Sequence, residues 1–302
     1  MRSEIKQDSP RAWMLAARPK TLSGAAVPVM IALALAYTDA RQYNGDVFNW
    51  TAAVLCLLFA FIMQVDANFI NDFFDYVHGN DDPASRLGPP RACSEGWVQV
   101  ASMKQAIATT TVLACLAGLP LVYFGGLEML LIGVLCIAFC FLYTTHLSYL
   151  GLGDVLVLVF FGIVPVCCTY YIQLHTVTWQ VFIASMACGL VIDGLLIVNN
   201  YRDRVADERD SKRTLVVRLG SKAAEWLYLA VGVVACVAGV VFWWYGHVLA
   251  FVLPLLYLLL HVFTWLKMRR IHEGRQLNEC LGETARNMFV YGLCVSVGLM
   301  LI

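Results

Sequence analysis

Asn68-Phe-Ile-Asn71-Asp72-Phe-Phe-Asp75 closes one long apolar run, and Asn199-Asn200-Tyr-Arg-Asp203-Arg-Val-Ala-Asp207-Glu-Arg-Asp210 closes another. The first cluster continues to Asp81-Asp82. Carboxylates at the end of a membrane helix are costly to keep and so point to function. At about 100° per residue, Asn68, Asp72 and Asp75 fall within about 60° of arc, as do Asn200, Asp203 and Asp207. Each helix end therefore turns two carboxylates and an amide in one direction. Such oxygen groups suit Mg²⁺, which usually shares its ligands with substrate phosphates. Two such ends facing one cavity could hold a diphosphate through the metal. A solvated loop at a helix end is also rich in Asp and Asn, but one loop does not explain the same order of residues twice.

The rest of the chain supplies the apolar runs. Of its 302 residues 60% are hydrophobic and only 14% charged, against roughly 25% charged in a soluble protein. Apolar stretches near the length of a spanning helix recur throughout. They predict an all-α polytopic membrane protein with nine spans at 20–38, 50–77, 103–124, 127–146, 152–173, 178–201, 222–244, 248–267 and 283–302. Pro28 is expected to kink the first. Nothing is left over for a soluble domain, so residues 1–302 read as a single membrane domain around a central cavity. Spans two and six end alike, which suggests two pseudo-repeated four-helix halves with a ninth helix appended; repeats of this kind place shared sites between the halves. Net charge is zero, which gives no reason to expect a nucleic-acid partner.

Charge placement gives orientation. All of the 21 Lys and Arg except Arg41 fall before span one, between spans two and three, six and seven, or eight and nine, or just inside those ends. The positive-inside rule then puts the N-terminus and both Asp clusters in the cytoplasm and the C-terminus outside. The eleven cysteines lie mostly inside spans without metal-type spacing, and read as small apolar packing residues.

Basic residues flank both clusters: Arg86 and Arg91 in RLGPPR, Lys212 and Arg213 in DSKRT, with Arg18 and Lys20 in RPKT at the mouth of span one. Lys20, Arg86, Arg91, Lys212 and Arg213 are candidates to hold a diphosphate, although each could equally be a topology or headgroup contact. An intramembrane cavity suits an isoprenoid tail, and aromatic faces can shield an allylic cation. Tyr143 and Tyr149, near the ends of spans four and five, are candidates for that role and for the aromatic acceptor, with Tyr170 and Tyr171 nearby. Asp66 and Asp193 lie deep in spans two and six, and Asp154 begins span five; each needs a cavity, a polar partner or a helix N-terminus.

NDFFDYVHGND and NNYRDRVADERDSKRT resemble the two Asp-rich motifs of the UbiA-type intramembrane prenyltransferases. ARPKTL, RLGPPRA, YLGLGD and KRTLVVRLG look like the branch that acts on 1,4-dihydroxy-2-naphthoate in menaquinone synthesis, and the similarity runs from about residue 11 onward. The resemblance implies a nine-helix bundle in a bacterial cytoplasmic (inner) membrane, its cavity open to the cytoplasm and sideways to lipid. Asn68, Asp72, Asp75, Asn200, Asp203 and Asp207 would bind Mg²⁺–diphosphate, with Asp72, Asp75, Asp203 and Asp207 catalytic and Lys212 and Arg213 helping to hold the diphosphate. The reaction would pass a polyprenyl group from polyprenyl diphosphate to the naphthoate, releasing CO₂ and diphosphate and giving demethylmenaquinone. Ser211 stands where that branch usually has Gly, and the stretch Thr144–Ser148 lacks its usual Gly and Pro; the second departure bears on the acceptor pocket.

Two other readings follow from the same residues. The acceptor could be 4-hydroxybenzoate, homogentisate or a related phenol. Alternatively the Asp pairs could serve a divalent-cation or organic-anion transporter, which would move solute across sealed liposomes without forming a covalent product. Basic residues beside both acidic clusters favour an anionic, metal-bridged ligand over a bare cation.

Overall fold

The computed structural model describes residues 5–44, 48–79, 83, 86–147 and 150–301. Among them there is no strand. The helices are α1 (Pro10–Ala17), α2 (Leu22–Asp39), α3 (Trp50–Val77), α4 (Val100–Gly125), α5 (Glu128–Leu142), α6 (Gly153–Leu174), α7 (Trp179–Arg209), α8 (Ser221–Trp244), α9 (Val248–Ile271) and α10 (Leu277–Met300). Eight segments of the described chain are long and apolar enough to cross a membrane; the first joins α1 and α2. The helix expected as the ninth span, α10, is 24 residues long. Its polar first turns, with Asn278, Glu279, Glu283 and Arg286, make it less apolar than the other eight.

Local chemistry sets the boundaries. Ser9 caps α1, its Oγ accepting from the Ala12 amide at 3.3 Å, and Pro10 takes the first helical position, where its missing N–H is no loss. Arg18 then adopts a left-handed conformation (φ 50°) and ends the helix, so a 3₁₀ turn at Pro19–Thr21 leads into α2 with Arg18 turned inward at the joint. Pro28 lies within α2. Asn49 and Thr178 cap α3 and α7 through their side-chain oxygens. The helix of span six runs on to Arg209, beyond the apolar stretch, and so carries Asp203 and Asp207 on a rigid rod. Wider π-helical turns occupy Tyr143–Leu147, after α5, and Leu158–Ile163, inside α6; such turns occur frequently at functional sites.

The bundle closes on itself. α10 packs against α2, α7 and α9, so the last helix seals the ring against the first. Small residues allow the close approaches that intramembrane packing favours. A Cβ at Gly162 would lie 2.6 Å from the Ser185 carbonyl, and one at Gly298 would lie 2.5 Å from the Ala250 backbone. The largest core cluster joins Val27, Ile31 and Leu35 of α2 with Val166 of α6, Val191 of α7 and Val295 of α10. On the other side, α5 contributes no buried residue and α4 only a few. Their Val112, Leu116, Leu131 and Leu135 are exposed, which in a bilayer means facing lipid.

Candidate functional site

A cavity of about 690 Å³ runs up the inside of the bundle on the α3–α4–α5–α6 side. Its deep wall is apolar, with Val29, Leu121, Met129 and Ile172. Its mouth is polar, with Arg18, Asn71, Arg86, Arg91 and Asn199. Between the two lies an aromatic belt of Tyr143, Phe139, Phe160 and Phe161, with the rings of Phe139 and Phe160 4.9 Å apart. The aromatic composition of the sequence pointed to such a belt, but only Tyr143 among these four was singled out. Tyr149, Asp81 and Asp82 lie outside the described residues. Tyr170 is buried at the far end, its hydroxyl donating to Asp39 at 2.6 Å, away from the Asp clusters.

The first cluster is built around a backbone loop. Asp72 is buried, and its two carboxylate oxygens accept from the amides of Ala92 (2.9 Å) and Cys93 (2.8 Å). It thereby pins the segment 86–99 over the end of α3. An apolar cluster of Ala12, Ala16, Phe69, Ile70, Cys93 and Val98 completes the attachment. Arg18 Nη2 stands 3.6 Å from the same carboxylate. Asn68 donates its amide to the Ala17 carbonyl and to Thr21 Oγ1, both at 2.9 Å, and so locks the α1–α2 joint that presents Arg18. Asp75 pairs with Arg91 at 3.1 Å. Asn71, on the cavity wall, accepts from Thr144 in the π-helical turn.

The second cluster is built around a guanidinium. Arg202 is 2% exposed and grips Asp203 through two hydrogen bonds, of 2.8 and 2.5 Å. Its remaining donors go to Asn199 and Asn278, each at 2.8 Å. Asn278 in turn donates to the Leu87 carbonyl at 2.8 Å, and Arg275 to the Arg86 carbonyl at 3.2 Å. A side chain at Gly88 would come within 2.8 Å of Arg202 Nη2. The loop from the first cluster is thus latched to the second. Asp207 lies 3.7 Å from Lys212 Nζ, and its Oδ2 is buried without a hydrogen-bond partner among the described residues. Asn200 is buried and lines a small second cavity with Lys212 and Tyr143.

Electrostatic reach joins the two clusters. Arg86 feels both Asp203 and Asp75; burial lowers its guanidinium from the ordinary value and those carboxylates pull it back. Lys212, beside Asp207, also acts on Asp75. The remaining candidates sit apart. Lys20 is exposed and off the cavity wall, where its neighbour Arg18 stands instead. Arg213 is exposed, and its backbone carbonyl packs on Gly151. In the sequence Arg202 is one of the basic residues that set topology. Its position next to Asp203 in NNYRD gives no hint that the side chain curls back onto it, because adjacent helical residues point about 100° apart.

No three His, Cys, Asp or Glu side chains converge on one point among the described residues. Oxygen donors on two facing helix ends, one of them an unpartnered Asp207 Oδ2, nonetheless fit Mg²⁺, an ion that completes its shell with water and phosphate oxygens. Asp66 is accounted for within the protein, accepting from Thr110 at 2.5 Å and Thr111 at 2.9 Å on α4.

The profile of the UbiA prenyltransferase family matches residues 25–281. The 1,4-dihydroxy-2-naphthoate octaprenyltransferase of Escherichia coli K12 is 37% identical over 239 residues, covering 76% of this chain and 75% of that protein. The Mycobacterium leprae protein of the same name is 32% identical over 299 residues, covering 96% of each. Among solved structures, a UbiA homolog from Archaeoglobus fulgidus bound to DMAPP and Mg²⁺ superposes with a TM-score of 0.62, at 14% identity, over 94% of this chain and 99% of that one. With the profile spanning most of the bundle and end-to-end relatives above 30% identity, the chain belongs to the UbiA prenyltransferase family.

Proposed function

We propose that the chain transfers a polyprenyl group from polyprenyl diphosphate to 1,4-dihydroxy-2-naphthoate, with loss of CO₂ and diphosphate, giving demethylmenaquinone in its quinol form. The observation that carries this is the shape and polarity of one cavity: an apolar shaft that suits an isoprenoid, under a mouth of arginines and Asp/Asn groups that suits its anionic head. The naphthoate acceptor is supported by the names of relatives that match most of the chain. Mg²⁺ is supported by the oxygen donor set and by the ion bound in the Archaeoglobus homolog. In this reading residues 1–302 form one domain of a bacterial cytoplasmic membrane, with the N-terminus and the cavity mouth on the cytoplasmic side. A C-terminal reporter that fluoresced in the cytoplasm would overturn that orientation.

Asp75, Asp207, Asn68 and Asn200 would hold Mg²⁺ together with the diphosphate. When bound, the metal supplies charge neutralisation to the departing diphosphate. Asp72 and Asp203 place the site: one fixes the loop that carries Arg91, the other fixes Arg202 and through it the same loop. Each of their oxygens keeps a further lone pair for the metal. Arg18, Arg86, Arg91 and Lys212 surround the diphosphate with donors that strengthen as charge moves onto it. Tyr143 and the phenylalanine belt face the allylic carbon and shield it from water. The test is to incubate the purified protein with dihydroxynaphthoate, a polyprenyl diphosphate and Mg²⁺, and to read the lipid extract by mass spectrometry. Parallel reactions with 4-hydroxybenzoate and homogentisate fix the acceptor. Absence of prenylated naphthoquinol, with prenylated phenol in its place, would overturn the acceptor assignment.

A further inference from the structure

A small second cavity of about 20 Å³ opens beside the large one, lined among others by Tyr143, Asp154, Leu196, Asn200, Lys212 and Thr214. Tyr143 and Leu196 line both cavities, so they form the wall between them. The volume suits one water or one hydroxyl group. Two glycines make room for it. Gly151 takes φ 74°, and a Cβ there would lie 2.3 Å from the Arg213 carbonyl oxygen; the Cβ position of Gly153 is 3.8 Å from Tyr143 Oη. The turn Gly151-Leu152-Gly153 leads into α6 with the exposed Leu152 as its one side chain, and Asp154 is the first polar group after it.

Behind this cavity lies Asp193. It sits seven residues before Asn200 on α7, on the same face and two turns deeper in the bundle. It is 6% exposed, and its Oδ1 is buried without a hydrogen-bond partner among the described residues, as is Oδ1 of Asp154. The charged group that acts on Asp193 is Asp154, another carboxyl, and both act on the Tyr143 hydroxyl. Packing does not account for this arrangement. Asp66 is satisfied by two threonines and Asp39 by Tyr170, whereas each of these two carboxyls keeps one oxygen without a donor among the described residues. Buried carboxyls without partners at membrane depth are costly to keep.

Resting on the proposed transferase activity, we propose that Asp154, backed by Asp193, receives the hydroxyl proton of the aromatic acceptor. The ring stacks along Tyr143 with its hydroxyl in the small cavity. As the ring carbon beside that hydroxyl bonds to the allylic carbon, the C–O bond to diphosphate has broken with its electron pair leaving on diphosphate, and the O–H bond breaks with its proton passing to Asp154. The ring is left as a ketone with the carboxylate and the prenyl group on one carbon. Loss of CO₂ returns an electron pair to the ring, and Asp154 gives its proton back to the oxygen. No external oxidant or reductant is needed, and the product is a quinol. Asp193 keeps a second carboxyl within reach of Asp154, so the proton has a place to rest away from the cation.

The test compares Asp154→Asn, Asp154→Glu and Asp193→Asn with the wild type, in detergent with Mg²⁺, dihydroxynaphthoate and a polyprenyl diphosphate. Three quantities are read: the rate of transfer at saturating acceptor from pH 6 to 9, the Kd for the prenyl diphosphate, and prenol released when water captures the allylic group. The charged groups acting on the shared Tyr143 wall are Asp154 on α6, Asp193 and Asp207 on α7, and Asp75 on α3, with Lys212 lining the small cavity and Arg218 beside Gly151, so each profile is compared with the wild type rather than assigned alone. Asp154→Asn is expected to slow transfer by about 100-fold or more, the usual range for a general base. It should leave the Kd and prenol release near wild type and abolish the fall in rate at acid pH. Asp154→Glu should restore most of the rate, and Asp193→Asn should shift the acid limb with a smaller loss. Wild-type transfer and an unchanged pH profile in Asp154→Asn would overturn the inference, as would equal loss in the Asn and Glu variants together with lost diphosphate binding. If the wild type itself makes no prenylated naphthoquinol, it is the proposed function that fails.

Discussion

The two Asp clusters read alike along the chain, yet the protein holds them by different means. In the first, the inner carboxylate Asp72 is pinned by two backbone amides, so it is part of the scaffold of a loop. In the second, the inner carboxylate Asp203 is gripped by a buried arginine side chain with two other oxygen partners. The outer members, Asp75 and Asp207, resemble each other more closely: each forms an ion pair with a cation, Arg91 or Lys212. The comparison teaches that equal spacing need not mean equal work. In the proposed function the outer pair meets the ligand, and the inner pair assembles the walls around it.

The sharpest break in that comparison is functional. Asp75→Ala and Asp207→Ala should each lower turnover by about 1,000-fold, the upper range for loss of one preorganised charge-stabilising group. Folding, followed by monodispersity in detergent and thermal denaturation, should change little for Asp207→Ala, whose Oδ2 has no hydrogen-bond partner to lose among the described residues. Wild-type turnover in either variant would remove the outer pair from the metal site.

The next contrast is in stability. Asp72→Asn leaves one oxygen for two buried amides and turns an NH₂ group toward one of them, at about 1–3 kcal/mol for an unsatisfied buried donor. Asp203→Asn keeps an oxygen for Arg202, which retains Asn199 and Asn278. Denaturant titration should therefore show the larger loss at position 72. Equal losses at the two positions would mean that the loop is not hung on Asp72.

Cys93 offers a chemical readout of the same contact. Burial, and then the neighbouring Asp72 carboxylate, push its thiol up from the usual range. A raised thiol is protonated at pH 8 and gains reactivity only as pH climbs toward its folded value, so alkylation by a maleimide should be slow in the wild type. In Asp72→Ala the loop loosens and the anionic neighbour is gone, and labelling at pH 8 should accelerate, as mass spectrometry of the Cys93 peptide would show. Unchanged labelling would place the loop's anchorage elsewhere.

Much of this architecture was legible beforehand because it follows from solvent physics. Hydropathy alone locates the spans, and the period of the helix aligns Asn68 with Asp72 and Asp75. What stayed hidden depends on contacts between distant segments. Nothing in RLGPPRA says that the amides of Ala92 and Cys93 return to Asp72, or that Asn278, at the start of the last helix, holds Leu87. Lys20 and Arg18 look equivalent in RPKT, but the left-handed turn at Arg18 sends one to the cavity and leaves the other exposed. Span ends were misjudged where polarity and helicity part company: α7 outlasts its apolar stretch to carry Asp203 and Asp207, and α10 begins earlier with polar turns that pack on the loop.

Asp66 provides the smallest effect and an internal control for every argument made from buried carboxylates. It lies as deep in α3 as Asp193 lies in α7, yet it accepts from Thr110 and Thr111 and faces α4 instead of either cavity. Its work is to tie two helices together across the thin side of the bundle, where α4 has few other buried residues. Intramembrane hydrogen bonds of this kind average about 0.6 kcal/mol. Thr110→Val and Thr111→Val should therefore each lower stability by about that much, and Asp66→Asn, which still accepts, by less. Transfer rates should be unchanged in all three, because none of these side chains lines the reaction cavity. Should Asp66→Asn slow transfer while the fold holds, membrane depth alone would be enough to perturb the chemistry, and the distinction drawn between partnered and unpartnered carboxylates would lose its force.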